Sequence, residues 1–110
     1  MTSDIIARRE LVGGGRTYEV RIEKPQATDD DTYSCRFSLV DDAGAEVVSQ
    51  EMYGVDSMQA LGFAVAIVGE RLACEDTQFT WHGLQGTGLP RVLDAPPEGG
   101  PAFFFPVPKD

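Results

Sequence analysis

One stretch of the chain has helical periodicity, Gly54 to Leu72, and nearly everything before it alternates with period two. That single contrast restricts the fold to a sheet built first and a helix laid over it afterwards. Residues 5–12 read as a first strand and Gly13-Gly14-Gly15 as a turn. In residues 16–24, Tyr18, Val20 and Ile22 fall on one face and Glu19, Arg21 and Glu23 on the other. Pro25 ends that run, and Gln26 to Asp31 reads as a polar loop. Residues 32–40 alternate again, with Tyr33, Cys35, Phe37 and Leu39 facing in. Asp41-Asp42-Ala43-Gly44 is a turn signal that sends residues 46–53 back as a hairpin. Gln78 to Trp81 reads as a short fifth strand. The expected fold is therefore α+β: an antiparallel meander of four to five strands, with one helix at about 57–73 covering one face.

The chain has 110 residues, which is the size of one domain. Residues 1–90 are assigned to that domain. Six of the seven prolines lie between Pro90 and Pro108, so residues 91–110 read as an irregular or polyproline-like tail. Phe103-Phe104-Phe105 sits inside the tail, and a freely solvated linker does not contain such a run. The net charge is −9. Phosphate neutralisation needs clustered Lys and Arg, so neither nucleic acid nor an anionic membrane is an expected partner. The amino-terminal residues lack an apolar core long enough for a signal peptide, and the longest nearly apolar run, Ala60 to Gly69, is too short to cross a bilayer. The expectation is a cytoplasmic protein with Cys35 and Cys74 reduced.

The residues that carry chemistry are sparse. His82, Cys35 and Cys74 have no metal-ligand spacing, and consecutive Asp29-Asp30-Asp31 point in different directions. No metal and no cofactor is expected. Cys35 reads as a small core residue, and Cys74 lies near a helix C-terminus, where the dipole disfavours a thiolate. Gly83-Leu84-Gln85-Gly86-Thr87-Gly88 has the wrong order for a dinucleotide fingerprint and is followed by Leu89-Pro90, so it reads as a loop.

Two surfaces remain. Residues 25–56 hold eight acidic side chains against Arg36 alone. Asp29, Asp30, Asp31, Asp41, Asp42 and Glu46 form the core of that acidic stretch, which would suit a basic protein partner. The other surface is on the helix. At ~100° per residue, Met58, Leu61, Val65, Val68 and Leu72 fall on one face, which is expected to pack on the sheet. Beside it runs a stripe of small residues, Gly62, Ala66, Gly69 and Ala73, which implies a close backbone approach, from a sheet strand before a second helix. Opposite, Gln59, Glu70 and Arg71 mark solvent, yet Phe63 and Ile67 project between them. Phe103, Phe104 and Phe105, or the same surface of a second copy, would cover that pair.

Gly54-Val55-Asp56, Gln59-Ala60-Leu61, Ala64 and Gly69-Glu70-Arg71-Leu72 resemble the helix start of a family of short bacterial proteins known only as a domain of unknown function. Ile6-Ala7-Arg8-Arg9 matches the Ile-Ala-x-Arg strand that opens the family's pattern. The resemblance covers residues 5 to about 90 and leaves out the tail. It implies an intracellular bacterial setting and no activity, substrate or catalytic residue. Three readings of function follow: a non-enzymatic, self-associating interaction module acting through Phe63, Ile67 and Phe103–Phe105; an acidic immunity- or antitoxin-like protein binding a basic partner; and a cysteine/histidine enzyme pairing His82 with Cys35 or Cys74.

Overall fold

The computed structural model describes residues 4–92 and 103–104, the strands at 91–92 and 103–104 as backbone only. Strands β1 (Ile5–Gly13), β2 (Arg16–Glu23), β4 (Tyr33–Asp41) and β5 (Glu46–Gly54) follow the alternating runs. Helix α1 (Ser57–Ala73) follows, then β6 (Phe79–Trp81). The α+β expectation holds, and the sheet has more strands than the sequence pattern announces. The two-residue strand β3 (Gln26–Ala27) continues β2 beyond Pro25 along the same edge of β4, and β7 (Leu84–Gln85) folds back on β6. Across the sheet the order is β5, β4, β2 with β3, β1, β6, β7, every pair antiparallel. The helix carries the chain from the β5 edge to the far side, where β6 pairs with β1.

Tight turns fix these registers. Gly14 and Gly15 have φ of 57° and 78°, and His82 and Gly83 have 52° and 77°. Both loops therefore have positive φ at the two central residues, as a type I′ hairpin turn requires. His82 is accounted for by this turn. The β4–β5 hairpin is closed by the Asp41 carboxylate, which accepts from the Ala43 and Ala45 N–H groups at 2.9 Å.

The core lies between α1 and the inner sheet face: Leu11, Val20, Ile22, Phe37, Leu39 and Val48 below, Ala60, Ala64, Val68 and Leu72 above. Asp56 caps the helix by accepting from the Gln59 N–H at 2.8 Å, and Gln59 Oε1 accepts from the Val55 N–H. Val68 and Leu72 of the expected face are buried in the core and Leu61 packs against it, but the helix start differs from the expectation. Met58 is 80% exposed and Val65 only half-buried, while Ala60 and Ala64 are fully buried. The reason is steric: a Cβ on Gly54 would come within 2.5 Å of the Ala60 backbone nitrogen, so the helix start lies too close to β5 for large side chains. Small residues, not large ones, mark the contact at the helix start.

Among the described residues, the close approach at Gly69 comes from neither a strand of the main sheet nor a second helix. A Cβ on Gly69 would collide with the Pro90 carbonyl oxygen and sit 3.2 Å from the Leu89 Cβ. The chain's own Leu89–Pro90 segment crosses the helix there, and Ala66 is buried beside it. Among the described residues, nothing beyond its own helix lies near the missing Cβ of Gly62. Beyond Pro90 the expected irregular tail contains a short pair, β8 (Arg91–Val92) with β9 (Phe103–Phe104), and β8 lies against α1.

Candidate interaction surface

The open face of the sheet is a ladder of charged side chains. Arg8 and Arg21 both donate to Glu19, at 3.1 and 2.5 Å. Arg36 donates to Glu23 at 2.7 Å, and its Nη2 donates to both carboxylate oxygens of Glu46, at 2.6 and 2.8 Å. The hydrogen bond from Arg21 is the main cause holding the Glu19 carboxyl below its ordinary pKa. At one end of the sheet Arg16 bonds Asp42 at 2.8 Å and reaches Asp41 at 3.4 Å. The predicted acidic surface is thus divided. Asp29, Asp30 and Asp31 lie beyond the start of β4, whereas Asp41 and Asp42 lie at its end. Nine residues at ~3.3 Å each put the two groups roughly 30 Å apart. Asp41, Asp42 and Glu46 already have arginine partners.

The proposed reactive pairs fare differently. Cys35 on β4 and His82 beyond β6 are separated by β2 and β1, so Cys35 and His82 are not brought together. Cys35 is 1% exposed and its thiol donates to the Glu23 carbonyl at 3.2 Å. Burial pushes its pKa up. Cys74 forms the C-cap of α1 and is exposed. Among the described residues no cluster of three His, Cys, Asp or Glu could hold a metal ion. Ellman's reagent should titrate one thiol per native chain, Cys74, and the second only after unfolding. Two fast thiols would mean that β4 opens in the native state.

Arg9 is turned to the helix side of the sheet. Its guanidinium lies 3.8 Å from the Trp81 ring centroid and donates to the Thr87 carbonyl at 3.2 Å. Burial lowers its pKa. These contacts clamp the 87–89 segment onto β1 and β6, so the group is engaged within the fold.

The uncovered structure lies at the opposite edge. Strand β5 pairs with β4 on one side, and none of the described strands pairs with its other side. Alternate residues of this nine-residue strand thus present unpaired backbone donors and acceptors. Val47 and Tyr53 stand 54% and 57% exposed on its outer face, and Val55 and Met58 are exposed at the turn that follows. The helix overlooks this edge. Arg71 Nη1 donates to Gln50 Oε1 of β5 at 3.1 Å. Gln59, Phe63, Ile67 and Arg71 follow at four-residue intervals, so they share that side of the helix.

The family model for a domain of unknown function, DUF6968, matches residues 7–91. The chain belongs to this family. No curated protein and no solved structure matches it. The matched region spans the sheet and the helix, so both the β5 edge and the α1 row lie within the family domain.

Of the residues expected at an interaction surface, Phe63 is half-buried on the β5 side of the helix. Ile67 is corrected: it is not an outward residue but packs partly buried against the core. The Phe103 and Phe104 backbones form β9, and Phe105 lies outside the described residues. The sequence reading missed Val47 and Tyr53. The signal was available: β5 is the last strand of the meander, and Val47-Val48 breaks the alternation so that one valine faces out.

Proposed function

We propose that this family member is a non-enzymatic protein-interaction module that works through the β5 edge and the α1 side above it. The observation that carries the reading is a nine-residue strand with an open edge, flanked by the exposed Val47 and Tyr53. Sheet edges of this kind recognise partners by strand addition, with main-chain hydrogen bonds for affinity and alternate side chains for specificity. The division of the acidic residues and their pairing with Arg16 and Arg36 favour this edge over a surface for a basic partner. The buried Cys35 thiol and the exposed Cys74 suit a reducing cytoplasm.

The test is photo-cross-linking in native cells from benzoylphenylalanine placed at Tyr53, with Asp30 on the far loop as the control position. A discrete protein adduct from position 53 and none from position 30 is the expected result. Absence of any adduct from position 53 would sink the reading.

A further inference from the structure

We propose that the partner on the β5 edge is a second copy of this chain, joined antiparallel about a twofold axis at Gln50 so that two sheets run on as one. This rests on the interaction reading above and names its partner. Closed twofold pairing uses the same patch on both copies. An axis perpendicular to the sheet keeps both helices on one side, so outward residues must face outward residues. Full overlap of Glu46–Gly54 then puts the axis at the central residue, Gln50.

In that register Val47 lies opposite Tyr53 of the partner subunit, and Tyr53 opposite the partner's Val47. The two exposed apolar residues of the strand cover each other twice. Cross-strand pairs of an aromatic with a β-branched residue are among the favourable ones. Glu51 faces the partner's Ser49, and Glu46 faces the partner's Gly54, so no carboxylate stands directly opposite another. Neighbouring registers lose this match. An axis at Glu51 sets that carboxylate against its own copy, and an axis at Ser49 sets Val47 against the partner's Glu51. The β-bulge in the β4–β5 ladder makes Val47 the extra residue between Glu46 and Val48, so the ladder is regular from Val48 to Gly54 and Val47 meets Tyr53 of the partner subunit from the bulge. The same twofold turns the Phe63–Ile67–Arg71 side of one helix toward that of the other, which gives the half-buried Phe63 a cover.

Sedimentation equilibrium of the full chain tests this. The expected mass is twice the 11.9 kDa of one chain. Val47→Glu and Tyr53→Lys, both at exposed positions, should each weaken association by about tenfold. The double variant should regain most of that loss, because the pairing sets the new opposite charges face to face. Added salt should tighten the dimer, since it screens repulsion between two chains of charge −9. A mass of 11.9 kDa at every concentration overturns the second copy. A position-53 cross-link to a different protein would then leave the interaction module standing without it. A dimer indifferent to both single variants, or a double variant no tighter than the singles, overturns the register.

Discussion

Phe37→Ala is expected to lower the free energy of unfolding by about 3–5 kcal/mol, the range for removing a large buried aromatic side chain. Phe37 is fully buried on β4, the strand that pairs with β2 on one side and β5 on the other. It is paired with Ile22 and Gln50 in those ladders, and α1 lies across β4 and β5 above it. The cavity left by truncation would therefore open where three elements meet, and none can collapse inward without breaking sheet register. Domains of this size have about 5–15 kcal/mol in total. The variant should therefore keep its fold at low temperature and melt roughly 10–20 °C below the parent. Urea unfolding read by the single tryptophan, Trp81, measures it, with Phe37→Leu as the milder companion. A loss below about 1 kcal/mol, well outside the cavity series, would move the centre of the core elsewhere.

The strands around Phe37 are readable from sequence because each is half-buried, and a half-buried strand must alternate. The helix limits are readable for a similar reason. Asp56 followed by Gln59 has capping spacing, and both side chains make their bonds. What periodicity does not encode is the distance between layers. The apolar stripe of α1 meets the sheet at Val68 and Leu72, but Gly54 brings the helix start so close that Ala60 and Ala64 occupy it there and Met58 turns outward. Strands β3 and β7, of two residues each, are too short for any alternation to register. The candidate surface is hidden for another reason. An edge strand differs from a central one by what is missing beside it, and only sheet order reveals that. Charge counts mislead in the same way: eight carboxylates within 32 residues suggest one acidic face, while the hairpin geometry sends them to opposite ends and gives three of them arginine partners.

The two glycines in the outer stripe of α1 give opposite results when changed to alanine. In a helix interior alanine is better than glycine by about 1 kcal/mol, and the gain is realised only where the new methyl group has room. At Gly62 it has room, since among the described residues no atom beyond the adjoining helical turns lies within 4 Å of the added carbon. Gly62→Ala should therefore raise stability by up to about 1 kcal/mol. At Gly69 the added carbon meets the Pro90 carbonyl oxygen, which is backbone and cannot rotate away. Either the helix shifts off the sheet or the Leu89–Pro90 segment lifts off the helix. Lifting exposes Leu89, which packs with the core at 8% exposure. Overpacking of this kind costs about 1–3 kcal/mol, more than the helical gain. Gly69→Ala should thus destabilise, and hydrogen exchange should quicken at residues 87–92 before it quickens in β2 or β4. Equal and positive effects at both glycines would mean that the 89–90 segment does not hold to the helix in solution. The same comparison bears on the dimer. Gly69 lies on the side of α1 away from the β5 edge, so Gly69→Ala should leave the sedimentation mass unchanged while it lowers the melting point.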